Sequence, residues 1–327
     1  MTIIDNPVEF NVDSLFVDLT AVLGRTVLLK CEGLNFAGSI KLKTARYMVE
    51  ELERSGELHA GRHLIESSSG NLGVALSVIA ASSGYRFTCV TDARCNPSTL
   101  AFMRSMGAEV HIIDEPTPHG GFLGARIDHI RELCADDSSY LWLNQYANPR
   151  NWQAHHQTTG PEIFSEFPDV DVLFIGAGTT GTIAGVARYA ADHHPRTRVV
   201  GIDSYGSVNF GGPPGTRFIP GLGSSLDPQM LDRSLLSDTV MVAEEETVRA
   251  CRRLAARGFL FGGSTGTVVA GADRWLAEHD PEGRLTSVAL APDMGLHYLS
   301  TVYDQTWVAT TFPALDQPVQ VVEEMAG

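Results

Sequence analysis

Short apolar runs alternate with longer helical stretches along almost the whole chain, and this alternation constrains the fold more than any other feature. The runs typical of buried strands are Thr26–Leu29, His63–Ile65, Phe87–Val90, Val110–Ile113, Val172–Ile175, Val199–Ile202, Val240–Ala243 and Val288–Leu290. The helical stretches are Leu42–Arg54, Leu72–Ser82, Ser98–Met106, Ala125–Cys134, Ile183–Ala191, Glu245–Arg257 and Val268–Glu278. Apolar strands joined by helices are typical of parallel sheets that helices cover on both faces. The sequence therefore predicts an α/β fold with twisted, mostly parallel sheets.

The length of the chain, 327 residues, predicts two such domains. We expect a smaller α/β domain over residues 36–150 and a larger one formed by residues 1–35 together with 151–327. Two segments interrupt the alternation and are predicted to be loops, Tyr140–Gln157 and the Gly- and Pro-rich Ser204–Asp227. The polar, acidic tail after Thr311 is expected to be loosely ordered.

Charge and cysteine usage exclude several classes of function. The chain has 24 Lys and Arg against 39 Asp and Glu, a formal net charge of −15, which disfavours nucleic acid and anionic membranes as partners. Its five cysteines are odd in number and form no CxxC motif, so neither a disulfide framework nor a zinc or other metal site is expected. The sequence shows no signal peptide and no apolar run long enough to span a bilayer. A cytoplasmic protein is predicted.

A glycine-rich turn, Gly176 to Gly181, follows an apolar strand and opens a predicted helix. Its sequence GAGTTG matches the G-x-G-x-x-G pattern of dinucleotide-binding sites, and Asp203 ends the next strand, where such sites place an acidic residue. The same turn is equally suited to a single phosphate, because glycines allow backbone N–H groups to approach any anion at a helix N-terminus. The motif alone does not choose between the two.

Three further segments each place a turn before a predicted helix, and the second and third also follow a predicted strand. They are Asn35–Lys41, which ends in a lysine at a predicted helix start, Ser67–Gly73, with three serines before a glycine, and Gly262–Gly266. Taken singly, each has an ordinary explanation: a surface lysine in the first and helix N-caps in the other two. Clustered hydroxyl and N–H groups at a helix N-terminus also suit a carboxylate or a phosphate.

In this order, the four segments resemble the motifs of fold type II pyridoxal-phosphate enzymes, the cysteine synthase or β-substitution family. Further matches are Asn148-Pro149, Thr158–Ile163, Gly221–Gly223 and Tyr298–Thr301, so the resemblance extends from about Leu29 to Thr301. It implies a tryptophan synthase β-like fold with pyridoxal 5′-phosphate bound between two domains, small amino-acid substrates and a homodimer.

The resemblance also implies a role for each matching residue. Lys41 is the catalytic residue; it would hold the cofactor covalently and move the proton on the substrate Cα. Asn71 would bond the ring hydroxyl and Ser264 would meet the ring nitrogen. The cofactor phosphate would lie on Gly178, Thr179, Thr180, Gly181 and Thr182. The residues expected to bind substrate are Ser68, Ser69, Gly70, Gln145 and Gly221.

Four positions depart from the family pattern and argue against plain cysteine synthesis: Phe36, Leu72, Thr180 and His297. Together with SSSGNLG, the loop Gly206–Gly223 resembles the branch of the family that makes N-(2-amino-2-carboxyethyl)-L-glutamate, on the way to 2,3-diaminopropionate for siderophores and peptide antibiotics. Within that loop, Arg217 is a candidate for binding a substrate phosphate, since a guanidinium suits bidentate phosphate recognition. A solvated loop arginine is an equally ordinary explanation.

The expected reaction is therefore a β-substitution that joins O-phospho-L-serine to L-glutamate through an aminoacrylate intermediate and releases phosphate. Two alternatives stay open at this stage. One is a cysteine synthase that uses sulfide with O-acetylserine or O-phosphoserine. The other, of a different class, is an NAD-dependent dehydrogenase built on Gly176–Gly181, which would need no Lys41.

Overall fold

The computed structural model of the protein describes residues 3–10, 12–118 and 120–315, so most of the acidic tail lies outside the described residues. The strands are β1 (Phe16–Asp18), β2 (Leu28–Cys31), β3 (His63–Ser67), β4 (Arg86–Asp92), β5 (Glu109–Ile113), β6 (Tyr140–Trp142), β7 (Val172–Gly176), β8 (Arg198–Ser204), β9 (Asp238–Val242) and β10 (Ser287–Ala291). The α-helices are α1 (Thr20–Leu23), α2 (Lys41–Arg54), α3 (Asn71–Ser83), α4 (Pro97–Ser105), α5 (Gly121–Asp136), α6 (Arg150–Gln157), α7 (Thr159–Glu166), α8 (Gly181–His193), α9 (Glu244–Ala255), α10 (Gly263–His279) and α11 (Gln305–Thr311).

A six-stranded sheet has the order β1-β2-β10-β7-β8-β9. Its strands run parallel except at one edge, where β1 pairs antiparallel with β2, Val17 opposite Leu29. The sequence did not indicate β1, because a three-residue edge strand is too short to show a hydrophobic period. The central strands β7, β8 and β10 are almost wholly buried, as their continuous apolar sequence predicts.

A four-stranded, fully parallel sheet has the order β5-β4-β3-β6 and comes from residues 63–142. The α/β fold with mostly parallel sheets flanked by helices is thus confirmed. One sheet falls within residues 36–150, and the other within the two remaining segments. The domain boundaries themselves stay a prediction.

The segment Tyr140–Gln157 is not a single loop, and that prediction was wrong. It contains β6 and then α6, which packs between α2 and α8. The sequence pattern did not indicate α6, because the buried face of this helix is polar. Asn151 and His155 are fully buried beside Ala154. The hydrophobic stripe by which helices are recognised is therefore missing. The segment Ser204–Asp227, by contrast, is free of helices and strands beyond the end of β8.

Three helices have N-terminal residues that line one cleft, and two of them, α3 and α8, begin a few residues after a strand. The three are α3 at Asn71, α8 at Gly181 and α10 at Gly263. In α2, Leu42, Ala45, Met48, Val49 and Leu52 form the buried stripe that packs the helix against α3, in the core beside the smaller sheet. Among the described residues, no helix has the length and apolar character needed to cross a membrane.

Candidate active site

A cleft with about 470 Å³ of empty volume brings together most of the predicted cofactor site. Helix N-termini and turns from both sheets line it, as expected at the carboxyl ends of parallel strands. The predicted residues that line it are Lys41, Asn71, Gly178, Thr179, Thr180, Gly181, Thr182, Gly221 and Ser264. The predicted residues outside this lining are Ser68, Ser69, Gly70, Gln145 and Arg217.

The chain contains only three lysines, Lys30, Lys41 and Lys43. Lys30 is fully buried and pairs with Glu32 and Glu162. Lys43 pairs with the same two glutamates, at 2.9 Å from Glu32. Among the described residues, Lys41 is thus the lysine whose ammonium group has no carboxylate partner. An amine that must react with an aldehyde cannot be committed to an ion pair, so Lys41 alone suits that chemistry.

Lys41 is the first residue of α2, and its Nζ atom lies 3.5 Å from the hydroxyl oxygen of Thr179. A positive charge at a helix N-terminus is unfavourable. Burial of the ammonium lowers the pKa of Lys41 from 10.5 to about 8. Near neutral pH the side chain is therefore close to losing its proton, which is the state in which a lysine acts as a nucleophile or a base.

The turn before α8 has the features of an anion site. Thr180 adopts a left-handed backbone, with φ at 66°, and its buried hydroxyl oxygen has no hydrogen-bond partner in the described structure. Gly178 approaches a second loop so closely that a Cβ there would lie 2.7 Å from the carbonyl oxygen of Gly221. An unpartnered hydroxyl beside the N-terminus of a helix fits a phosphate group that supplies the missing acceptor.

Ser264, which also lines the cleft, lies in the first turn of α10 and is 3% exposed. Gly221 leaves room for it, because a Cβ at 221 would lie 2.1 Å from the Ser264 hydroxyl oxygen. Behind Ser264 is a buried carboxyl, Asp293, that the sequence analysis missed. It accepts hydrogen bonds from Thr265 and, at 2.5 Å, from the hydroxyl of Tyr298.

Asp293 also connects the two sheets, since the side-chain amide of Asn71 lies 3.4 Å from its carboxylate. Burial raises the pKa of Asp293, against the hydrogen bonds from Tyr298 and Thr265 that favour the carboxylate. The available signal in the sequence was an aspartate two residues after the apolar strand SVALA. By holding α10, Tyr298 and Asn71 together, Asp293 shapes the part of the cleft where Ser264 lies.

The turn Ser67–Gly70 before α3 is built differently from the turn before α8. The hydroxyl oxygen of Ser68 accepts from the backbone N–H groups of Gly70 and Gly73, at 3.2 and 2.9 Å, so Ser68 serves as a helix cap. A Cβ added at Gly70 would have nothing within 4 Å. The turn therefore presents open space above Gly70, and Ser69 is only partly buried beside it.

Gln145 lies behind this turn, and its side-chain amide donates to the carbonyl of Ser67 at 2.7 Å. Its backbone N–H donates to Glu66, a fully buried residue that also accepts from the backbone of Ser67 and the indole of Trp142. Burial raises the pKa of Glu66 to about 7. Glu66, a second residue that the sequence analysis missed, thus holds the backbone N–H groups of Ser67 and Gln145 in place behind the turn.

Arg217 does not line the cleft. Its guanidinium donates to the carbonyl of Gly206 and, at 3.2 Å, to the hydroxyl of Ser225. Partial burial lowers its pKa, and the nearby carboxylates of Asp203 and Glu244 oppose that effect. With two of its five N–H donors used in this way, the side chain keeps donors for an anion.

Asp203, the acidic residue of the dinucleotide interpretation, is fully buried. Its carboxylate accepts from the backbone of Ser204 and from the side chain of Asn209, at 2.7 and 3.0 Å. Asn209 in turn donates to the carbonyls of Ala177 and Gly178. Asp203 therefore supports the glycine turn from within and is not available to a ribose, which explains why G-x-G-x-x-G is misleading in this chain.

The residues that line the cleft fit pyridoxal phosphate. Lys41 supplies an amine free to react with the aldehyde, and the turn before α8 supplies an orphaned buried hydroxyl for the phosphate. Ser264 and Asn71, which also line the cleft, are neutral polar groups that would suit the ring nitrogen and the ring hydroxyl. No cluster of three or more His, Cys, Asp or Glu side chains in the described parts of the chain is arranged to hold a metal ion.

Comparisons with known proteins agree with this fit. Residues 16–293 match the family described as "Pyridoxal-phosphate dependent enzyme". The N-(2-amino-2-carboxyethyl)-L-glutamate synthase of Ralstonia nicotianae is 41% identical over 285 residues, 86% of this chain and 84% of that one. Its namesake from Cupriavidus metallidurans is 40% identical over 302 residues, 90% and 88% of the two chains.

A solved structure of O-ureido-L-serine synthase, 31% identical, superposes with a TM-score of 0.84 and covers 94% of this chain and 100% of that chain. The family match covers both sheets and every residue that lines the cleft, including all of the predicted cofactor contacts. The dinucleotide alternative is thereby set aside. The chain belongs to the family of pyridoxal-phosphate dependent enzymes.

Proposed function

We propose that this enzyme joins O-phospho-L-serine and L-glutamate to form N-(2-amino-2-carboxyethyl)-L-glutamate and releases phosphate. The observation that carries the proposal is the identity of 40 to 41% with two synthases of that name, over more than four fifths of each chain. In the reaction, the bond between the β-carbon and the phosphate oxygen breaks, and a bond from the glutamate amine to the β-carbon forms. The amine gives up one proton.

Lys41 is proposed to hold the cofactor and to carry the proton of the substrate Cα. When bound, pyridoxal phosphate draws electrons away from Cα, so that its proton becomes acidic and the β-substituent can leave. The lowered pKa of Lys41, about 8, leaves its amine able to accept that proton near neutral pH and to return it at the end. Ser264, being neutral, suits elimination at the β-carbon, because it does not stabilise a protonated ring nitrogen.

The anionic groups of the substrates need separate binding sites in a chain of net charge −15. The open turn at Ser69 and Gly70, backed by Gln145 and Glu66, is proposed to bind the carboxylate of O-phosphoserine. Arg217 is proposed to bind the phosphate that leaves. Because Arg217 lies outside the lining of the cleft, this role requires its loop to approach the substrate.

A product assay tests the proposal. The enzyme loaded with pyridoxal phosphate is incubated with O-phospho-L-serine and L-glutamate, and both the coupled amino acid and free phosphate are quantified. We expect equal amounts of the two products, and no turnover when Lys41→Ala is used. Coupled product at the wild-type rate from Lys41→Ala would refute the assignment of Lys41.

A cysteine synthase remains the rival within the family, since sulfide is a smaller nucleophile for the same site. The assay separates the two when sulfide replaces glutamate and O-acetylserine replaces O-phosphoserine. Cysteine formation together with the absence of any product from glutamate would refute the proposed function and identify the enzyme as a cysteine synthase.

Two further properties belong to the proposal. All five cysteines are free thiols in the described structure, which suits a reducing, cytoplasmic environment. A homodimer is proposed on the resemblance to the family alone, and a molar mass of twice 35.3 kDa in solution would support it.

A further inference from the structure

Asn151, the second residue of α6, is fully buried, and the sequence analysis did not identify it as functional. Its side-chain Nδ2 atom donates to two acceptors that belong to different parts of the site. One is the backbone carbonyl of Gln145, at 2.7 Å, and the other is the hydroxyl oxygen of Thr179, at 3.2 Å. Asn151 therefore links the segment behind the substrate turn to the turn before α8.

The other atom of the amide, Oδ1, has no hydrogen-bond partner in the described structure. It occupies the space beside Gly181, where a Cβ would lie 2.0 Å away. Gly181 is therefore required for the packing of Asn151, whatever the turn binds. An unpaired buried amide oxygen carries an unrecovered desolvation cost, so the placement of this side chain points to a role for its N–H group.

The contact with Thr179 has a chemical consequence. A hydroxyl has one donor and two acceptor positions. The oxygen of Thr179 accepts from Nδ2 of Asn151 at 3.2 Å, and Nζ of Lys41 lies 3.5 Å from it before the cofactor binds. Because the N–H group of Asn151 occupies one acceptor position, the proton of the Thr179 hydroxyl is directed away from that nitrogen and is left to be donated. A hydroxyl fixed as a donor suits an anion.

We propose that Asn151 is a positioning residue that fixes the Thr179 hydroxyl as a hydrogen-bond donor to the phosphate of the cofactor. The inference rests on the proposed placement of that phosphate at the turn before α8. A chain of hydrogen bonds then runs from Glu66 through the backbone of Gln145 and through Asn151 to Thr179. The same buried amide thus holds the substrate side and the phosphate side of the site in register.

Titration of apoprotein with pyridoxal phosphate and, separately, with pyridoxal tests the proposal, because only the first ligand has a phosphate. Loss of a hydrogen bond to a charged group costs about 1.5 to 3 kcal/mol, so we expect Asn151→Ala to reduce the preference for pyridoxal phosphate over pyridoxal roughly 10- to 100-fold. Gln157→Ala is the matched control, since it also removes a side-chain amide from α6. The Gln157 amide donates to the hydroxyl of Tyr47, in a solvent-exposed hydrogen bond away from Thr179. It should leave the preference unchanged.

A second set of variants separates positioning from a general loss of structure. Thr179→Val removes the hydroxyl, so adding Asn151→Ala to it should reduce the preference no further, whereas Thr179→Ser should retain the effect of Asn151. An equal weakening of both ligands in Asn151→Ala, or full additivity with Thr179→Val, would overturn the proposal. Neither titration contains an amino acid, so the outcome does not depend on which substrates the enzyme joins.

Discussion

The two turns that we propose as anion sites are similar in sequence and differ in construction. Each places glycines and hydroxyls at or just before the start of a helix, at Ser67–Gly70 and at Gly178–Thr182. Around the second turn, the space beside Gly178 and Gly181 is filled by Gly221 and Asn151. Around the first turn, the space beside Gly70 is open. A closely packed turn suits an anion that stays bound, such as the cofactor phosphate, and an open turn suits a carboxylate that enters and leaves.

The largest expected effect comes from adding one methyl group to each turn. In Gly181→Ala the methyl meets the buried Oδ1 of Asn151 at 2.0 Å, and such overpacking costs about 3 kcal/mol. We expect the affinity for pyridoxal phosphate to fall about 100-fold, measured by titration of apoprotein. Gly70→Ala should leave that affinity unchanged and raise KM for O-phosphoserine. Equal effects of both variants on cofactor affinity would contradict the comparison.

A smaller effect is expected at Arg217, which we assign to the transient phosphate of the substrate. Loss of a charge-assisted hydrogen bond of about 2 kcal/mol predicts that Arg217→Ala lowers kcat/KM for O-phosphoserine roughly 30-fold. Cofactor affinity should not change. O-Acetylserine provides the control, because its leaving group has no charge on which Arg217 could act. Equal losses with both substrates would show that Arg217 only supports its loop.

The smallest effect concerns the support beneath the open turn. Burial raises the pKa of Glu66 from 4.5 to about 7, so between these values the folded protein binds the proton more tightly than the unfolded chain. Through this group, the free energy of unfolding falls as pH rises from about 4.5 to about 7. Glu66→Gln should remove that slope and cost about 1 kcal/mol near pH 7, because the N–H of Gln145 loses its carboxylate acceptor.

Denaturant unfolding of wild type and Glu66→Gln at a series of pH values measures this effect. The difference between the two proteins isolates the contribution of Glu66 from that of the other acidic groups. If the free energies of unfolding of the two proteins changed with pH in parallel, Glu66 would not titrate in this range.

The sequence predicted those features of the site that are local in the chain. Strand, turn and helix start are adjacent at Ser67–Gly70 and Gly176–Gly181, so these turns were located from pattern alone. Gly262–Gly266 was located from its glycines, although the element before it is α9 and not the expected strand. Lys41 was identified through the resemblance to the family, which rests on those turns and the segment Asn35–Lys41 in their order along the chain. The structure adds that Lys30 and Lys43 are committed to ion pairs, which no pattern showed.

The residues that were missed act on parts of the chain far from them in sequence. Asn151 contacts Thr179, 28 residues away, and Asp293 contacts Asn71, 222 residues away. No hydrophobic period marks a buried polar side chain, and the polar face of α6 even concealed that helix. Asp203 shows the reverse: its spacing from the glycine turn suggested a ribose partner, and only its burial shows that it supports the turn instead.

Of the three lysines in the chain, we propose that Lys41 carries the cofactor. Borohydride treatment of the enzyme loaded with pyridoxal phosphate, followed by proteolysis and peptide mass analysis, tests it directly, because the three lysines of the chain give distinguishable products. We expect the added mass of the reduced cofactor on Lys41. Modification of Lys30 or Lys43 with Lys41 unmodified, or no modification at all, would contradict it.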